Sequence, residues 1–88
     1  MYFVYFLQSK RKNNFYIGCT NSLERRLKEH QTGMVKSTKN RRPLLLIYSE
    51  KYDTLSLARK REDYLKSLYG YRERKKIIDD IVKNKQKS

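Results

Sequence analysis

The sequence predicts an α+β domain of three strands and three helices. Three observations carry this. Two apolar runs, Tyr2 to Leu7 and Phe15 to Cys19, flank a polar loop. A capped helical pattern follows at Asn21. A third apolar run, Leu44 to Tyr48, precedes two further stretches of helical periodicity.

Residues 2–8 read as a strand that is apolar on both faces. Tyr2, Val4 and Phe6 alternate with Phe3, Tyr5 and Leu7, so both sides are expected to be covered. Ser9 to Asn14 supply turn formers, and residues 15–19 return as the second strand of a long-looped hairpin. Asn21 is placed to cap a helix, with Glu24 as its reciprocal partner. Leu23 and Leu27 mark the buried stripe of that helix, His30 extends it, and Gly33 suits the left-handed position beyond its end. Residues 34–42 form a basic loop carrying Lys36, Lys39, Arg41 and Arg42. Pro43 opens the third strand, where a first-position proline is tolerated. Asp53 or Thr54 caps a second helix running to about Tyr69, with Ala58, Leu65 and Leu68 or Tyr69 on its stripe. Gly70 breaks it. A last helix, about Tyr71 to Lys83, carries Ile77, Ile78, Ile81 and Val82. Residues 1–83 are thus a single domain, and 84–88 a frayed basic tail.

At 88 residues the chain supports one domain with a small core. Cys19 is the sole cysteine, which excludes an internal disulfide and a zinc cluster and fits a reducing compartment. The N-terminal apolar run has no basic region before it and is too short to span a membrane, so a soluble, cytoplasmic protein is expected. Lys and Arg number 22 against nine acidic residues, a net charge of +13. A phosphate polymer is the simplest partner for such a field. A membrane surface fits less well, because the last helix offers four strong apolar residues and no aromatic beyond Tyr71.

Position separates the carboxylates. Glu24 and Asp53 are placed as caps, and Glu29, Glu73, Asp79 and Asp80 on polar helix faces. Glu62 points along an apolar stripe, four residues after Ala58 and three before Leu65. Two readings stay open for it: a buried salt bridge to an arginine, or a metal ligand in a cleft. A lone carboxylate implies one ion, and Mg²⁺, which keeps waters and takes phosphate oxygens, suits it. Arg26 and His30 lie four apart on one helix face. A guanidinium there can grip a phosphate and steady transition-state charge, and His30 can move a proton or orient a neighbour. The plain alternatives are a solvated arginine and a helix-end histidine. Tyr5 and Tyr16 are more often core residues, yet on paired strands their hydroxyls can meet. Nearby cations would lower a tyrosine pKa toward use as a base. Gly18 leaves room for a phosphate or the next helix to approach.

Phe3-Val4-Tyr5, Tyr16-Ile17-Gly18, Arg26, His30 and Glu62, in this order, resemble the GIY-YIG nuclease family from Phe3 to about Ile78. The chain is most similar to small stand-alone bacterial members. The resemblance implies a three-stranded antiparallel sheet flanked by helices and a metal-dependent endonuclease. It implies Tyr5, Tyr16, Arg26 and His30 as catalytic residues and Glu62 as ligand of a single Mg²⁺ or Mn²⁺. The first motif departs by Phe3-Val4 for Gly-Ile, and the asparagine many members carry after the glutamate is missing from residues 71–76. The expected reaction is attack of water on a nucleic-acid phosphodiester, DNA above RNA, with Tyr5 or a metal hydroxide as base. Lys36, Lys39, Arg41 and Arg42 are expected to contact the nucleic acid. Low intrinsic sequence specificity, a monomer, and targeting by a protein partner complete the expectation. The alternative is a non-catalytic nucleic-acid-binding module. Charge serves both, and Glu62 beside Arg26 and His30 favours the enzyme.

Overall fold

The computed structural model describes residues 1–86. Three strands, β1 (Tyr2–Ser9), β2 (Phe15–Thr20) and β3 (Leu44–Tyr52), form one sheet in the order β2-β1-β3 with every pairing antiparallel. Three helices follow the expected order: α1 (Leu23–Gln31), α2 (Leu55–Lys66) and α3 (Tyr71–Gln86). The central strand is covered on both faces, as its two apolar sets require. Val4 and Phe6 pack with Ile17, Ala58 and Leu65 beneath α2, where Ile77 and Ile78 of α3 join. Tyr5 and Leu7 pack with Leu44 against Leu23 and Leu27 of α1. β2 is therefore an edge strand, and the rim it leaves between α1 and α2 is open.

Local chemistry sets the helix ends, with some shifts from expectation. α1 is capped by Ser22, whose side chain accepts from the Arg25 N–H, and not by Asn21. The third helical position is then Arg25, so Glu24 cannot return a capping bond and stays exposed. Asn21 instead accepts from the Arg25 guanidinium at 2.8 Å. Gly33 ends α1 at φ +81, with its N–H on His30 O and the Met34 N–H on Glu29 O. That pair of bonds satisfies two end carbonyls through a left-handed residue. Thr54, not Asp53, caps α2.

α2 stops at Lys66, three residues short of the expected end. Ser67 turns extended, its hydroxyl bonds Tyr64 O, and Leu68 and Tyr69 leave the stripe for solvent. β3 is longer than its apolar run, because Glu50, Lys51 and Tyr52 pair with Val4, Phe3 and Tyr2. The basic loop holds a short 3-10 turn over Lys39–Arg41, and its Val35 and Thr38 are buried. α3 continues to Gln86, three residues past the expected Lys83, so the expected tail at 84–88 is helical as far as it is described. Residues 87–88 lie outside the described residues.

An ion-pair network ties β3, α2 and α3 together. Arg61 holds Glu50 through Nε and Nη2 at 2.8 and 2.9 Å and Glu73 through Nη1 and Nη2 at 2.8 and 3.0 Å. The hydroxyls of Tyr48 and Tyr52 donate to Glu50 at 2.6 and 2.7 Å. Burial raises the Glu50 carboxyl, but these bonds outweigh it and leave its pKa below the usual value.

Candidate active site

The open rim holds a cleft of about 310 Å³ lined by Tyr5, Tyr16, Cys19, Arg26, Leu55, Arg59, Glu62 and Asp63. Four residues expected to act together, Tyr5, Tyr16, Arg26 and Glu62, thus meet from β1, β2, α1 and α2. The route taken by Tyr5 explains Gly18. Tyr5 pairs with Gly18 across the β1–β2 ladder, and a Cβ at residue 18 would overlap the Tyr5 hydroxyl and its ring carbon. The missing side chain therefore admits the Tyr5 ring, not a phosphate or a helix. The ring crosses the edge strand to reach the cleft.

His30 does not line the cleft. It is fully buried behind Tyr5, and its Nε2 lies 2.9 Å from the Tyr5 hydroxyl. Its Nδ1 lies 2.7 Å from Thr38 Oγ1, whose hydroxyl points at Val35 O. One tautomer satisfies all of these groups: Thr38 donates to the carbonyl and accepts from Nδ1–H, and Nε2 accepts from Tyr5. Burial, and then the charge on Arg26, lower the His30 pKa to about 4, so the imidazole is neutral at pH 7. The Tyr16 ring packs edge-on against His30 with centroids 5.1 Å apart.

Tyr5 departs from the expected direction. Burial pushes its pKa up to about 12, and Arg26, which favours the phenolate, does not overcome that cost. Arg26 is neither solvated nor free. It is half-buried, pairs with Glu29 at 3.0 Å and is held firmly in its charged form. Glu62 does not pair with an arginine. Its Oε2 accepts from Lys66 at 2.8 Å, and Oε1 has no protein partner among the described residues. Lys66 Nζ also lies 5.8 Å from the Tyr16 ring centroid.

The four basic-loop residues fall outside the cleft. Lys36 and Lys39 are exposed; Arg41 and Arg42 bond carbonyls of Ser37, Lys39 and Gln31, and Arg41 lies 5.7 Å from the Tyr16 ring centroid. The cations beside the cleft are others. Arg25, Arg26 and Arg59 line an adjoining groove of about 410 Å³ together with Tyr2, Asn21 and Leu55. Sequence reasoning missed Arg25, Arg59, Thr38 and Lys66. Lys66 was findable, one turn after Glu62 on the same helix face; Thr38 carried no local signal.

A model of the GIY-YIG catalytic domain matches residues 1–76. The chain belongs to the GIY-YIG family. The GIY-YIG domain is that of a nuclease family, which points to nuclease activity and to nucleic acid as the substrate class. A UPF0213 protein of Natronomonas pharaonis is 35% identical over 80 residues, covering 90% of this chain and 93% of that relative. A UPF0213 protein of Clostridium perfringens is 41% identical over 69 residues, covering 77% and 73%. The solution NMR structure of a UPF0213 protein from Bacillus halodurans superposes with a TM-score of 0.53 at 28% identity, covering 90% of this chain and 84% of that one. Like these GIY-YIG relatives the chain is small, and no helix among the described residues is long and apolar enough to cross a membrane.

Among the described residues no three His, Cys, Asp or Glu side chains gather. The cleft carries two carboxylates, Glu62 and Asp63, and a hard ion that keeps most of its waters asks for no more than one or two. Glu62, with Oε1 unpartnered and open space before it, meets that requirement.

Proposed function

We propose that this GIY-YIG protein is an endonuclease that hydrolyses phosphodiester bonds, DNA before RNA, with Mg²⁺ or Mn²⁺ held by Glu62. The observation that carries the reading is the convergence of Tyr5, Tyr16, Arg26 and Glu62 from four elements on one cleft. When bound, the cation supplies Lewis acidity at the phosphate and makes the attacking water more acidic.

The chain's own residues do the rest. Arg26, fixed by Glu29, presents a permanent planar cation to the phosphate. Tyr5 donates its proton inward to His30, so a lone pair of its oxygen faces the cleft. That oxygen accepts a proton from the attacking water while its own proton passes to Nε2 of His30. The gap between about 12 and about 4 keeps the proton on Tyr5 at rest, so the transfer is coupled to attack and does not precede it. Thr38 fixes the tautomer that leaves Nε2 empty. His30 is thus a positioning and relay residue that never touches substrate. The Tyr16 hydroxyl lines the same cleft and orients water or phosphate. Arg25 and Arg59 carry the neighbouring backbone along the adjoining groove.

The test is cleavage of duplex, flap, branched and single-stranded DNA and RNA with Mg²⁺, Mn²⁺ or chelator. Glu62→Ala is expected to abolish divalent-dependent cleavage. It should change stability by less than about 1 kcal/mol, since the ion pair it loses to Lys66 is partly exposed. Salt-sensitive nucleic-acid binding by a wild type that cuts none of these substrates would establish the binding-module reading instead.

A further inference from the structure

We propose that Leu68 and Tyr69, at the turn between α2 and α3, form a stacking wedge that receives a nucleobase of the strand held in the cleft. The inference rests on the nucleic-acid reading above. Leu68 is 94% exposed and Tyr69 90%, the two most exposed large apolar residues of the described chain. Single exposed apolar residues need no explanation, but two adjacent ones on an ordered turn mark a contact surface.

The turn is built to present them. The Ser67 hydroxyl donates to Tyr64 O at 2.7 Å and accepts from the Gly70 N–H at 3.3 Å. Gly70 is buried so closely on the Tyr64 carbonyl that a Cβ there would overlap it. Had α2 continued, Leu68 would have extended the stripe of Ala58 and Leu65. The turn instead rotates both side chains into solvent, and folding them inward would break these bonds.

Position and charge name the occupant. Lys66, the last residue of α2, reaches Glu62 and the Tyr16 ring, so the chain runs from the Glu62 side of the cleft into the wedge within two residues. Exposed Arg72 and Lys75 follow it in the first turns of α3, while the nearest acidic residue of α3, Glu73, is bound by Arg61. An aromatic and an aliphatic tip set in cations fit a polyanion that also offers flat apolar faces, as a nucleic acid does at a strand end or a kinked step.

The chain has no tryptophan, so Tyr69→Trp places a lone indole at the tip. Titrated in chelator with an oligonucleotide carrying a duplex and a single-stranded arm, its fluorescence is expected to be quenched. Tyr69→Ser is expected to weaken Kd about 5- to 150-fold, as loss of one stacked base does. The salt slope should stay unchanged, because no phosphate contact is lost, and Tyr69→Phe should keep the wild-type Kd. An unquenched indole, or a Tyr69→Ser protein that binds like wild type, overturns the wedge while leaving the nuclease reading standing. A wild type that binds no nucleic acid overturns both. A wild-type dimer in sedimentation that Tyr69→Ser dissociates makes the patch a contact between copies instead.

Discussion

Tyr5 and His30 show how burial decides what one side chain can do. The Tyr5 hydroxyl is the partner of a buried imidazole nitrogen, and Tyr5→Phe leaves that nitrogen unpaired. The expected cost is about 1–2 kcal/mol in denaturant titration, alongside loss of cleavage. A Tyr5→Phe protein of full activity removes Tyr5 from the proton path. His30 also makes the fold acid-sensitive. The unfolded chain protonates it near 6.5 and the folded protein only near 4, so the unfolded state binds more protons in that window. Stability should therefore fall as pH drops from about 6.5 to about 4, by at most about 3 kcal/mol from this group. Denaturation of wild type and His30→Gln across pH 4–7 measures it: the wild-type curve should be the steeper. Parallel curves would show that His30 contributes no linkage.

At the scale of elements, α2 is the hinge between chemistry and architecture. One face carries Arg59 and Glu62 to the cleft, and another carries Arg61 to the network that fixes α3. Arg61 and Glu50 are 22% and 15% exposed, shielded enough for loss of one partner to be costly. Arg61→Ala strands the Glu50 carboxylate beneath two tyrosines and should cost about 2–3 kcal/mol in thermal or chemical denaturation. The Glu62 site loses only a helical neighbour, so divalent binding by the folded fraction should survive. An Arg61→Ala protein as stable as wild type would reduce the network to surface decoration.

For the molecule as a whole, the +13 charge is expected to set nucleic-acid affinity more than any one residue does. Two cationic regions compete for the path of the strand: the groove with Arg25 and Arg59, and the loop with Lys36 and Lys39. Each phosphate contact contributes roughly −0.9 to the log–log salt slope on B-form DNA. Arg59→Ala should therefore make the slope shallower by about 0.9, and the Lys36→Ala, Lys39→Ala pair by about 1.8 if both regions lie on the path. An unchanged slope for Arg59→Ala would take the groove off the path, and the same result for the pair would take the loop off it.

The sequence by itself determined what local pattern can encode. Two apolar faces on residues 2–8 required layers on both sides of β1. Helical spacing put Glu62 in line with Ala58 and Leu65, and Gly33 suited the left-handed position that ends α1. It did not determine which groups meet across elements, because periodicity assigns a face and never a partner. That Tyr5 crosses Gly18, that His30 sits between Thr38 and the Tyr5 hydroxyl, and that Arg61 rather than Glu62 holds the buried ion pair are results of strand register and helix docking. The sign of the Tyr5 shift belongs with them. Arg26, a bound metal and the positive field argued for a lowered pKa, but desolvation is a property of the packed molecule, and it raised the value instead.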